Sequence, residues 1–275
     1  MCSGLCERVV LVTSPNSSRI APAGHHADRS AKTVASHWDA LWARPPRMRL
    51  PSRLNVTVWD FERLLQRHVK PGNSLLEIGC APGKLLVWAA RVLKARVTGI
   101  DYSDIGIGHA RRLFETLSVE GDLRCEDVFT AALPEAGFDV VFSVGLIEHF
   151  DDPRDIVKRH VAFARPGGVA LMVVPNYGGL YGRLQRYFDP ENLAIHNLEI
   201  MNPASLVALA PPDMPAQVRA YAFGRVAPWI VSLEHRWSLA IAGLTRLTVN
   251  AIGLAQPWRI PALTPLLVLE IKRAE

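Results

Sequence analysis

Leu75-Leu76-Glu77-Ile78-Gly79-Cys80-Ala81-Pro82-Gly83-Lys84 reads as a strand, a tight turn and a helix start. Leu75, Leu76 and Ile78 form the short apolar run expected of a parallel strand buried on both faces. Gly79 and Gly83 bracket a turn in which a ligand can approach the backbone without meeting a Cβ. The helix that follows presents free N–H groups and the positive end of its dipole. Open α/β sheets bind ligands at the carboxyl ends of their strands, where this turn lies. The turn therefore suits the carboxylate or ribose end of a nucleotide-like cofactor.

A dinucleotide fingerprint, G-x-G-x-x-G, fails twice, because Ala81 and Lys84 occupy its second and third glycine positions. A phosphate-binding loop also fails. Gly83-Lys84 is present, but Ile78 replaces its first glycine and Leu85 follows the lysine. The segment resembles the acidic-x-G-x-x-x-G loop of class I S-adenosylmethionine (SAM)-dependent methyltransferases, and the Glu148-His149 element further on resembles their small-molecule branch. Ala81 stands where that family has its middle glycine, and its methyl group would crowd a left-handed backbone.

Four further segments follow in the family's order. Arg96-Val97-Thr98-Gly99-Ile100-Asp101 is a strand ending in an acid, about 20 residues after the first. Asp101 is placed to accept from both ribose hydroxyls, and Tyr102 to lie against the adenine. As a helix cap Asp101 is less suited than Ser103 or Asp104. Leu123 to Phe129 holds the third strand's exit. The resemblance makes Asp127, with Glu126 the neighbouring alternative, the acceptor for the adenine amino group. Phe138 to Phe150 is a fourth strand and its exit loop. Val144 and Gly145 lie at the strand's end, before the Glu148-His149 element. Arg165-Pro166-Gly167-Gly168 turns into a fifth strand, Val169 to Val174. The resemblance then implies SAM as the cofactor, with Glu77, Gly79, Cys80, Ala81, Gly83, Asp101, Tyr102, Asp127, Val128, Val144 and Gly145 as its expected contacts.

The implied fold is α/β: a Rossmann-like, seven-stranded, mostly parallel sheet with helices on both faces and an antiparallel last strand. Residues 1–31 are rich in Ser, Pro, Ala, Gly and His and are expected to be a flexible tail. Residues 32–275 then form one methyltransferase domain. Within it, 32–70 supply cover helices, near Thr33–Trp42 and Val56–His68. Trp38, Trp42 and Trp59 are read as packing residues of that cover. The SAM-binding core spans 72–176. Residues 177–215 are too long for a plain connection and are expected to cap the substrate. Residues 216–275 hold a sixth strand near Val218–Phe223, a helical region over Trp229–Ile252, and a last strand near Thr264–Ile271.

The net charge of +5 is mild and dispersed, so nucleic-acid binding is not demanded. The four cysteines, Cys2, Cys6, Cys80 and Cys125, fit no metal pattern, and a reducing, cytoplasmic setting is expected. No run is long and apolar enough to span a bilayer. Asp151, Asp152 and Asp155 lie close in sequence but start a helix more simply than they bind a cation. No metal is expected.

His149 is the first candidate for a general base, being next to the sulfonium site that the resemblance implies and titrating near neutrality in its free form. His196 is the second. The acceptor is expected to be a small molecule, hydroxyl first, on a lipophilic or glycosylated metabolite; a homodimer is allowed. N- or C-methylation of a small molecule is an alternative. Others are RNA methylation and non-catalytic SAM binding. Ser143-Val144-Gly145-Leu146 lacks the Pro-Pro-aromatic element of nucleic-acid amino methyltransferases.

Overall fold

The computed structural model describes residues 31–214, 216–256 and 260–275. In chain order its elements are α1 (Ala35–Trp42), α2 (Val56–Gln66), β1 (Ser74–Ile78), α3 (Lys84–Trp88), β2 (Arg96–Asp101), α4 (Asp104–Thr116) and β3 (Asp122–Cys125). Then come β4 (Phe138–Val144), α5 (Arg154–Phe163), β5 (Ala164–Pro175), α6 (Leu180–Phe188), α7 (Pro190–Ala194) and α8 (Pro203–Val207). The chain ends with β6 (Ala216–Phe223), α9 (Leu239–Ala255) and β7 (Leu266–Arg273).

The strands form one sheet in the order β3-β2-β1-β4-β5-β7-β6. The pairs β1–β2, β2–β3, β1–β4 and β4–β5 are parallel, and β7 runs antiparallel to both β5 and β6. Strand order reverses between β1 and β4, so a ligand crevice belongs at their carboxyl ends. The apolar runs alternate between two buried faces. Leu76, Ile78, Val141, Ala170 and Met172 pack on one side; Leu75, Val140, Phe142, Leu171 and Val173 pack on the other. Arg165-Pro166-Gly167-Gly168 is a bulge, because Phe138 pairs with Ala164 while Val140 pairs with Val169. Gly167 has φ +72°, which favours glycine there.

Short polar side chains start the helices. Asn55 accepts from Thr57 N and Val58 N to open α2, and Ser103 accepts from Gly106 N to open α4. The helical region expected over Trp229–Ile252 is narrower than its apolar content suggests. Leu233–His235 makes only a single turn, and α9 begins after its cap Ser238. Leu239, Ile241, Leu244, Leu247 and Ile252 of α9 are exposed. Among the described residues, no helix is long and apolar enough to cross a membrane. The expected tail lies outside the described residues apart from Ala31, which forms an antiparallel bridge with Phe150.

One buried ion pair joins the cover to the sheet's far end. Asp60 of α2 accepts from Arg225 N at 2.8 Å and from Arg225 Nε at 3.2 Å. Both side chains are about a tenth exposed or less, and the guanidinium also lies 4.4 Å from the Trp59 ring centre. Removing Asp60 strands a buried cation whose Nη2 already has no partner. Asp60→Ala is therefore expected to cost about 3–5 kcal/mol in urea unfolding. A loss under 1 kcal/mol would show that the pair is solvated.

Candidate active site

The turn after β1 owes its shape to two glycines, Gly79 at φ +72° and Gly83 at φ +82°. Gly79 N and Cys80 N both donate to Ile100 O, at 2.8 and 3.2 Å, which ties the turn to β2. Ala81, by contrast, is not among the positive-φ residues. Its methyl group therefore meets no left-handed backbone. An added Cβ on Gly106 of α4 would fall 2.7 Å from the Ala81 Cβ, so that methyl takes space a glycine leaves open. Cys80 is buried, with its Sγ against Gly99, and burial pushes its thiol up. Toward a ligand it offers backbone rather than sulfur.

Asp101 ends β2 beside this turn. Its Oδ2 accepts from Ala81 N at 3.0 Å and its Oδ1 from Ser103 N at 2.9 Å. Each oxygen keeps lone-pair capacity for a further donor. Burial is the main cause that raises the Asp101 carboxyl. Glu77, at the neighbouring strand end, is raised more strongly, by burial and then by the Asp101 carboxylate. Glu77 Oε2 is buried with no hydrogen-bond partner among the described residues. A buried, unsatisfied Glu77 carboxyl beside the half-buried Asp101 carboxyl calls for a cationic donor.

Helix α1 covers this corner. Asp39 Oδ1 accepts from Ser103 Oγ at 2.6 Å, and Trp42 O meets His109 Nε2 at 2.8 Å. Trp38 Nε1 donates to Thr33 Oγ1 at 3.1 Å. Tyr102 is raised chiefly by burial and hydrogen-bonds toward Thr33 and Trp38. Asp127 sits in the loop after β3 and accepts from Phe129 N at 2.9 Å. Val128 O receives the Arg159 guanidinium, and Glu126 N donates to Asp101 O. The exits of β2 and β3 are thus fastened together.

The β4 exit faces the other side. Gly145, at φ +69°, donates to Val173 O at 2.9 Å, and its hypothetical Cβ would lie 3.6 Å from Glu148 Oε1. Ile147–His149 then makes one tight turn. His149 Nδ1 meets Ile195 O at 3.0 Å, and His196 Nδ1 meets Asn192 O at 2.7 Å. Their ring centres are 4.7 Å apart. Trp38 stands edge-on to His149 at 5.0 Å, and Tyr177 edge-on to His196 at 5.2 Å. Asn197 locks the two segments, donating to Glu148 O, Phe150 O and Asp151 O. Burial moves all three titrating groups: Glu148 up to about 8, His149 down to about 3 and His196 down to about 4. The near-neutral titration expected of His149 does not survive the fold, because the charged ring would be desolvated. Asp151 instead pairs with Lys32, and Asp152 with Arg154.

The structure thus places both expected histidines in one cluster, with the cofactor-side residues around the exits of β1 to β4. Sequence reasoning missed Asp39, Tyr177 and Asn197, whose roles arise only from contacts with distant segments.

Residues 76–172 match the family described as a methyltransferase domain. Over 116 residues the chain is 34% identical to a probable S-adenosylmethionine-dependent methyltransferase of Mycolicibacterium smegmatis, a match covering 42% of each chain. Over 151 residues it is 31% identical to a ubiquinone biosynthesis O-methyltransferase of Xanthomonas campestris pv. campestris, covering 54% of this chain and 60% of that one. The chain therefore spans less than two thirds of either relative's length. Its fold is similar to that of the cyclase SpnF, with a TM-score of 0.56 and 15% identity over 92% of this chain and 99% of that one.

Proposed function

We propose that the chain is a class I SAM-dependent methyltransferase, a reading supported by the methyltransferase-domain match over residues 76–172 and by the Mycolicibacterium smegmatis relative, and that it transfers the SAM methyl group to a hydroxyl of a small, lipophilic or glycosylated acceptor. The observation that carries this reading is a convergence at one end of the sheet. Glu77 and Asp101 lie on one side, and Glu148, beside Gly145, gathers with His149 and His196 on the other.

Glu77 fits SAM, because its ammonium and sulfonium bring the positive charge that a buried carboxyl without a partner lacks. Asp101 would hold the ribose and Asp127 the adenine amino group, with Gly79, Cys80, Ala81 and Gly83 supplying backbone. Tyr102, Val128, Val144 and Gly145 would complete the walls. SAM supplies an electrophilic methyl carbon. The chain's task is placement, holding an acceptor in line with that carbon and keeping water out. Residues 177–215 would act as the cap over the acceptor, with His196 and Tyr177 on its inner side.

Hydroxyl specificity is supported by the ubiquinone O-methyltransferase relative and by two histidines whose Nε2 lone pairs can receive a hydroxyl hydrogen bond. The cyclase neighbour shows that the fold alone does not set the reaction. The deciding experiment incubates purified protein with methyl-labelled SAM and fractionated cell extract. Label is expected in a small apolar hydroxy compound. Label in RNA, or tight SAM binding with no labelled product, would overturn the proposal.

A further inference from the structure

We propose that Glu148, His149 and His196 form a binding site for one borderline divalent cation, zinc being the reference ion. No metal is expected from the sequence, where neither the cysteines nor Asp151, Asp152 and Asp155 form a ligand pattern. The fold nevertheless brings one ligand atom from each within 4.8 Å of the others, with all three residues buried.

The hydrogen bonds set the two imidazoles for ligation. A backbone carbonyl can only accept, so the contacts of His149 Nδ1 to Ile195 O and of His196 Nδ1 to Asn192 O place a proton on each Nδ1. Nε2 of each neutral ring then carries the lone pair. This is the backing that metal-bound histidines use to fix tautomer and orientation. Glu148 supplies the anion. Its Oε2 is buried and has no hydrogen-bond partner among the described residues. A buried unsatisfied carboxyl is costly, and a cation removes that cost.

The frame is rigid where ligation needs it. Asn197 N donates to Glu148 O at 2.7 Å, and its side chain holds Phe150 O and Asp151 O. Ligand atoms around zinc lie about 3.4 Å apart, given metal–ligand distances near 2.1 Å. The ligand atoms must therefore draw closer on binding, and no hydrogen bond to Glu148 Oε2 has to break for it. Two imidazoles and one carboxylate suit zinc or ferrous iron; magnesium and calcium prefer all-oxygen sites. Three protein ligands leave a position open. An acceptor hydroxyl could take it, in place of the hydrogen bonds to the two Nε2 atoms that it would make without the ion; that use rests on the O-methyltransferase reading, and the ion site itself does not.

The test uses the full chain, stripped with a chelator and then titrated with cobalt(II) and zinc. One ion per chain is expected, with visible cobalt bands displaced by zinc and a Kd on the order of micromolar or tighter. Glu148→Gln, His149→Ala and His196→Asn should each weaken cobalt binding by at least about 10–100-fold. Absence of cobalt bands in the wild type overturns the proposal without any variant. So do bands that persist unchanged in all three variants. A parallel SAM titration in chelator separates the two readings. SAM binding without cobalt bands removes only the metal site; cobalt bands without SAM binding remove only the methyltransferase reading.

Discussion

His149→Ala is expected to lower kcat by about 10²–10⁴ while SAM affinity changes little. The magnitude is that of removing a positioned group that acts on the reacting hydroxyl. The selectivity follows from the hydrogen bonds. The side chain of His149 is held by Ile195 O and by the rings of Trp38 and His196. Asp101 and the β1 turn are instead tied to β2 and to the start of α4. His149→Gln restores a polar group without an imidazole and should recover only part of the rate. Parallel loss of turnover and SAM binding would make His149 a support of the cofactor site. Near-full turnover would move the acceptor contact to His196 or to positioning alone.

Asp101→Ala should weaken SAM binding by about 1.5–3 kcal/mol, roughly 10–150-fold in Kd. Two losses combine. The ribose would lose a charged acceptor, and Ala81 N and Ser103 N would lose the carboxylate that joins the β1 turn to the start of α4. Asp101→Asn keeps one oxygen acceptor and should show the smaller effect. Calorimetry with SAM, and with NAD as a control, reads both. Heat with NAD but none with SAM would end the cofactor reading. An unchanged SAM affinity in Asp101→Ala would show that the ribose is held elsewhere.

Much of the fold is legible in the chain because its signals are local. The strands β1, β4 and β5 are buried on both faces and so appear as apolar runs, Leu75-Leu76, Val140-Val141-Phe142 and Val169 to Val174. Asp101 reaches the Gly79–Gly83 turn because β1 and β2 pair in parallel register, Ile78 opposite Ile100. A βαβ unit imposes that juxtaposition at a narrow range of spacings. The cap of α4 is equally local, as Ser103 bonds Gly106 three residues on.

Other features depend on what comes from far along the chain. The harmlessness of Ala81 rests on its backbone angle and on the gap above Gly106. The Asp60–Arg225 pair joins residues 165 apart, with no periodicity linking them. The acceptor side is the clearest case. Sequence alone named His149 and His196, since histidines beside a cofactor strand and in a long connection are natural candidates. It could not show that Ile195 and Asn192 carbonyls orient both rings, that Glu148 Oε2 lies buried without a partner, or that burial lowers both histidines far below neutrality. Desolvation depends on everything packed around a group, and 46 residues separate His149 from the carbonyl that fixes its proton. The sequence by itself therefore determined that Asp101 lies beside the Gly79–Gly83 turn, where the cofactor is proposed to bind, because strand pairing sets that placement. Only the tertiary structure decided the grouping of Glu148, His149 and His196, proposed to face the acceptor, because the protonation and proximity of these side chains are properties of the packed interior.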